Sequence, residues 1–221
     1  AMRRLIASQM TMGFSCSAVA APSLFGSNWR RLARHQLLPY GFDFDHCSAP
    51  PARPGLREQL RIPPGRSVIG HVGRLEVQKN HDLIIAIADQ LVRRGEDIHV
   101  LLLGEGSRKA ELMEQIRQLG LGSRFTFAGN RADVAAVLRG AMDCFLFPSI
   151  HEGLPLALIE AQAAGLPAVF SSSVTEEANL FPGTNQVLSL DRPLCDWCDA
   201  VVQALRAGIP AALGDDLGRF L

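Results

Sequence analysis

From Ser67 onward the chain alternates short β-rich runs with amphipathic stretches, and no other feature restricts its fold as tightly. The apolar runs cover 68–72, 99–103, 125–127, 144–147, 168–170 and 186–190. Helical periodicity marks 81–94, 109–119, 132–139, 155–164 and 176–179, with a last helix over 195–206. A strand, a helix and another strand in succession imply parallel pairing through right-handed crossovers. Six strands with helices on both faces predict an α/β fold built on a doubly wound, mostly parallel, Rossmann-like sheet. A chain of 221 residues that is 48% hydrophobic suffices for one such domain and something more.

The extra material lies at the start. Pro22, Pro39, Pro50, Pro51, Pro54, Pro63 and Pro64 break residues 1–66 out of the alternating rhythm. We expect 1–45 to be the tail of another unit, with one short helix over 22–37. Residues 46–66 read as a linker, and 67–221 as the main domain. Arg3 and Arg4 ahead of residues 10–21 imitate a secretory leader, but Thr11, Ser15 and Ser17 interrupt its apolar stretch.

Charge and cysteine usage remove several functions. The 22 basic and 22 acidic side chains cancel, whereas a nucleic-acid protein shows a basic excess. No run reaches the roughly 18 apolar residues that a membrane span needs. The five cysteines lack the spacing of a disulfide framework. Cys195-x-x-Cys198, with Trp197 between, reads as the packed start of a helix rather than a metal or redox pair. A reducing, cytoplasmic setting follows as the expectation. The cluster Arg30, Arg31, Arg34 and His35 is too small to establish an acidic-lipid contact.

The stretch 149–167, SIHEGLPLALIEAQAAGLP, carries the most chemistry. Glu152 precedes a helix, Pro155 suits its first helical position, and Glu160 follows about one and a half turns on. Free amides at a helix start bind phosphate. Carboxylates accept from hydroxyls. A nucleotide-sugar, carrying phosphates and several hydroxyls, satisfies both kinds of group. The competing reading is a capping box from Ser149 to Glu152. A helix beginning at Pro155 would leave Ser149 too far upstream for that.

A second loop, 70–81, follows the first strand. Its Gly73 admits close backbone approach. Arg74 and Lys79 bracket it and are placed to neutralise a diphosphate without a metal, or are simply two solvated cations. Asn80 is expected to cap the next helix, with Asp82 in its first turn. Leu103-Gly104-Glu105-Gly106 begins like a dinucleotide fingerprint but lacks the third glycine and the later acidic residue, so hydride transfer is not indicated. Gly129, Asn130 and Arg131 form a turn that either holds a base or caps a helix. His71 and His151 lie near the cleft without a complete nucleophile set. Asp43 and Asp45 form a D-x-D outside any apolar strand, and metal binding there is not expected.

Three segments together resemble the donor-binding, C-terminal half of retaining GT-B glycosyltransferases, closest to the family-4 group that builds exopolysaccharides and other cell-surface glycans. They are IGHVGRLEVQKNHDLIIAIADQL, LLLGEGSRKAELMEQIRQLGL with FTFAGNRADVAAVL, and FPSIHEGLPLALIEAQAAGLPAVFS. The pair of glutamates eight apart, Glu152 and Glu160, is their most specific mark. The resemblance implies that Glu160 holds the ribose hydroxyls and Glu152 faces the donor sugar. It puts backbone amides of Gly153 and Leu154 on the diphosphate, beside the cations Arg74 and Lys79. It places Gly129, Asn130 and Arg131 at the base, and implies no metal or other cofactor.

The implied partners are a nucleotide-sugar, preferably a UDP-sugar, and a glycan or lipid-linked acceptor held by another domain. Peripheral membrane contact of the full enzyme follows from a lipid-linked acceptor. The stretch 37–45, LLPYGFDFD, resembles the interdomain connection, with Tyr40 where asparagine is usual. Residues 13–26 resemble the last helix of the N-terminal domain. The chain is therefore expected to bind donor yet to transfer sugar poorly by itself. A non-catalytic nucleotide-binding module and a nucleotide-sugar epimerase of similar architecture remain open alternatives.

Overall fold

The structure, a computed structural model, describes residues 11–16, 18, 21–38 and 55–208. Strands β3 (Ser67–Val72), β4 (Ile98–Leu103), β5 (Phe125–Gly129), β6 (Cys144–Phe147), β7 (Ala168–Ser171) and β8 (Gln186–Leu188) form one sheet. All its pairings are parallel, in the order β5-β4-β3-β6-β7-β8. The direction of winding therefore reverses between β3 and β6, which lie side by side. Ligands of open α/β sheets bind outside the carboxyl ends of the strands at such a reversal.

Burial explains why these runs become strands. Every residue of β4, β6 and β7 is buried, as continuous apolar runs covered on both faces must be. The edge strands β5 and β8 are only partly covered.

Helices α3 (His81–Arg93), α4 (Lys109–Gln118) and α7 (Leu194–Ala207) cover one face. Ile84, Ile87, Leu91, Leu112, Ile116, Trp197 and Val201 pack there in one cluster with side chains of β3, β4, β6 and β7. Trp197 and Cys198 are fully buried, which is the packing expected for the Cys195-x-x-Cys198 segment. Helices α2 (Leu56–Gln59), α5 (Val134–Ala141) and α6 (Leu156–Ala163) cover the other face, with Leu56, Leu138 and Leu158 beside Phe145 and Phe170. Gly70 in β3 admits Met142 so closely that a Cβ would lie 1.9 Å from its Sδ.

Several local expectations need correction. The single helix expected over 22–37 is instead a short helix α1 (Ala21–Phe25), a 3₁₀ turn (Trp29–Arg31) and a strand β2 (His35–Leu37). Within 13–26, the segment likened to a terminal helix, Gly13–Ser15 is a strand, β1, paired in parallel with β2. His35 explains the break: its ring packs 4.8 Å from buried Trp29 and bonds Ser15 Oγ at 3.0 Å, which pulls 35–37 out into a strand. Arg30 lies over the Trp29 ring at 4.4 Å.

Within 46–66, read as a linker, the described part carries α2, and Leu56, Leu60 and Ile62 are buried in the domain core. The stretch 176–179 forms a 3₁₀ turn, Glu176–Ala178, not an α-helix. Asp43, Asp45, Tyr40, most of the leader-like segment and the last residues lie outside the described residues.

Candidate functional site

Two loops leave the adjacent carboxyl ends of β3 and β6 and are stitched together. Ile150 N–H donates to Gln78 O at 2.9 Å, and Gln78 Nε2 donates to His151 O at 2.6 Å. Between these contacts Lys79 Nζ donates to Glu152 Oε1 at 2.6 Å. Their side chains are only 14% and 11% exposed. The same ammonium lies 4.6 Å from the centroid of Phe147, at the end of β6. A cation and a carboxylate 73 positions apart thus meet at the winding reversal, where water is largely excluded and charge interactions are strengthened. The sequence reading placed both residues at one site but did not foresee that they bind each other. Only the adjacency of β3 and β6 makes that pairing.

The β3 loop is also braced from its other side by β4. Gly104 has φ +128°, and a Cβ there would lie 2.1 Å from Gly73 O; one at Gly106 would lie 2.4 Å from Leu75 O. These glycines let two backbones touch, and that is what the incomplete fingerprint does. Leu75 N–H donates to Glu105 O, and Arg108 N–H to Leu75 O. Glu76 accepts from the Ser107 N–H and hydroxyl, both at 2.9 Å, and these bonds hold its carboxyl below the ordinary range. Sequence reasoning missed Glu76 and Ser107. Their types, a short hydroxyl and a carboxylate in facing loops, are too common to signal a clasp.

Asn80 takes the cap position of α3, but its side chain makes no capping bond. It adopts φ 56°, a left-handed conformation that asparagine tolerates better than most residues. Asp82 accepts two bonds from Arg108, which hold its carboxyl below the ordinary range. Arg74 is exposed.

On the β6 side, Pro155 is the cap and not the first helical residue, since its ψ of 101° is extended. The shift costs nothing, because a cap needs no donor and Pro155 O accepts from both Leu158 and Ile159. Gly153 and Leu154 lie in the turn before the cap, and Glu160 stands in the second turn of α6, partly buried. Ser149 is fully buried rather than capping, and its carbonyl accepts from Ser171 Oγ at 2.6 Å.

Gly129 has φ +66°, and its carbonyl accepts from Gly104 N–H, so the β5 turn touches the β4 turn. Arg131 grips Asp133 through two bonds of 2.7 Å, while Asn130 is exposed. His71 is buried beneath the site and His151 is exposed. Two hollows of about 500 and 550 Å³ flank β5 and include none of Arg74, Lys79, Glu152 or Glu160. Among the described residues no group of three or more His, Cys, Asp or Glu side chains is placed to hold a metal ion.

The profile of the family "Glycosyl transferases group 1" matches residues 52–180, more than half of the chain and every loop of this site. The chain belongs to that family. It is 36% identical over 210 residues to the putative glycosyltransferase EpsF of Bacillus subtilis (strain 168), covering 94% of this chain and 54% of EpsF. It is 31% identical over 144 residues to a UDP-Gal:α-D-GlcNAc-diphosphoundecaprenol α-1,3-galactosyltransferase of Escherichia coli, covering 62% of this chain and 36% of that protein.

Among solved structures it superposes on Anabaena Alr3699/HepE in complex with UDP-glucose with a TM-score of 0.78. That likeness, at 22% identity, covers 92% of this chain and 56% of HepE. The group 1 chain thus has the GT-B-type α/β fold and spans about half the length of these two partners, EpsF and HepE. No helix among its described residues is long and apolar enough to cross a membrane.

Proposed function

We propose that this chain binds the donor of a retaining hexosyltransferase, with a UDP-sugar as the preferred donor and a glycan or lipid-linked molecule as acceptor. The observation that carries this reading is the Lys79–Glu152 pair at the winding reversal, joining the two loops that an activated sugar would touch. In this reading Lys79 and Arg74 neutralise the charge that grows on the leaving diphosphate, with the Gly153 and Leu154 amides as further donors. Glu152, released from Lys79, accepts from donor-sugar hydroxyls. Glu160 accepts from the ribose hydroxyls. The backbone of Gly129, Asn130 and Arg131 meets the base, since the Arg131 guanidinium is already committed to Asp133. The leaving phosphate takes the acceptor proton on the face from which it departs, which retains configuration, and no metal is required.

Family membership supports the transferase class. The preference for UDP draws on HepE, solved with UDP-glucose and with UDP, and on the Escherichia coli relative, a UDP-galactose enzyme by name. We place the enzyme in the cytoplasm, at the inner membrane face when its acceptor is lipid-linked. In this reading another domain holds the acceptor, so this chain, which spans 54% of EpsF, transfers little or no sugar alone.

Calorimetric titration with UDP, GDP and ADP tests the donor reading. UDP should bind most tightly, and no heat from any of the three at millimolar concentration would overturn it. Sugar transfer by this chain without another domain would refute the claim that it is incomplete.

A further inference from the structure

Directly below Lys79 lies a side chain that the chemistry above leaves unused. His71 is the fifth residue of β3 and is fully buried. Its Nδ1 lies 2.9 Å from Leu146 O. A carbonyl only accepts, so Nδ1 carries the proton and donates. Burial, with the nearby His81 and Lys79, holds the ring neutral by pushing its pKa well below the usual value. A neutral imidazole protonated at Nδ1 keeps a lone pair on Nε2. That Nε2 is buried and has no hydrogen-bond partner. Unmet buried acceptors are uncommon and call for an explanation.

The position of Nε2 suggests one. A Cβ on Gly73 would lie 3.0 Å from His71 Nε2 and 3.0 Å from Lys79 Cε. The two groups therefore border one small space, kept open by the missing side chain of Gly73. The ring is held firmly, edge-on to His81 at 4.8 Å and stacked over Phe147 at 5.5 Å. The Lys79 ammonium has three protons, and its described hydrogen bond is to Glu152.

We propose that His71 is a positioning residue for Lys79: its Nε2 accepts from the ammonium once an incoming diphosphate draws that ammonium away from Glu152. The proposal rests on the donor-binding reading above. The exchange frees Glu152 for the sugar and leaves a four-carbon stem with many rotamers to orient. A second carboxylate would orient it but would cancel the charge needed for phosphate. A neutral imidazole on a rigid strand orients the cation and leaves its charge intact.

The test is a double-mutant cycle on UDP affinity, measured by calorimetry on this chain with His71→Phe, Lys79→Ala and the double variant. Phenylalanine keeps the stacked ring and removes the acceptor; His71→Leu replaces it if that variant does not fold. His71→Phe should weaken UDP binding five- to twentyfold in the native background and less than twofold in the Lys79→Ala background. His71→Gln, which restores a neutral acceptor, should recover most of the loss. Native-like affinity in folded His71→Phe overturns the proposal, as does an equal loss in both backgrounds. If the native chain takes up no UDP, the donor reading fails and this proposal with it. Normal native binding with an indifferent His71→Phe removes only the role of the histidine.

Discussion

A side chain on Gly73 would be crowded, because His71 Nε2 and Lys79 Cε each stand 3.0 Å from where its Cβ would be. Gly73→Ala should push the lysine stem off its seat, weakening UDP binding about tenfold while costing about 1 kcal/mol of stability. Calorimetry and urea unfolding separate the two effects. Glu160→Ala should weaken nucleotide binding by roughly 1–3 kcal/mol, the cost of leaving ribose hydroxyls unpaired. Unchanged UDP affinity would remove Glu160 from the site. At this scale the sequence singles out candidate residue types, since cations after one strand and glutamates after another suit a phosphate-bearing sugar. Their pairing was not readable, because charge contacts 73 positions apart leave no local pattern.

Helix α6 carries Glu160, and its seat depends on the buried Gln162. Gln162 Nε2 donates to Leu158 O and Ala178 O, while its Oε1 accepts from Leu180 N–H and Asn185 Nδ2. Asn185 in turn accepts from Ala168 N–H at the start of β7. One amide thus ties α6, the turn after β7 and the sheet together with its four bonding positions filled. Gln162→Leu keeps the volume but strands buried donors and acceptors. We expect about 2–4 kcal/mol of destabilisation by urea unfolding, with a greater loss of UDP affinity than Asn185→Ala causes. The strands and most helices of the main domain were legible within two residues, because alternation and amphipathic period record which faces are covered. The start of α6 was off by one, and 22–37 was misread. A short segment is decided by its contacts, here those of His35, more than by its own preferences.

Across the whole molecule, buried histidines make stability depend on acidity. Burial pushes the imidazoles of His81 and His99 down to about 4 from the ordinary 6.5. Between those values the unfolded chain binds protons that the folded chain does not, so stability falls as pH drops from about 6.5 toward 4. Above that window both states are neutral and these groups contribute no pH dependence. The cost is on the order of 2 kcal/mol for each histidine by pH 5. Urea midpoints at pH 7.5 and pH 5 should differ accordingly. His99→Leu should flatten the change, although it gives up the 2.9 Å bond from His99 Nε2 to Thr126 Oγ1.

Family and fold class were carried by the linear order of residues, because strand and helix periods and loop residues are local properties that folding merely arranges. The location of the candidate site was decided by topology. Only the reversal between β3 and β6 sets Lys79 against Glu152, and only the packing of β4 on β3 gives Gly104 and Gly106 their purpose. The buried lone pair of His71 belongs to that second kind of information. Burial and hydrogen-bond closure depend on every element around a residue, and no window of neighbouring residues contains them.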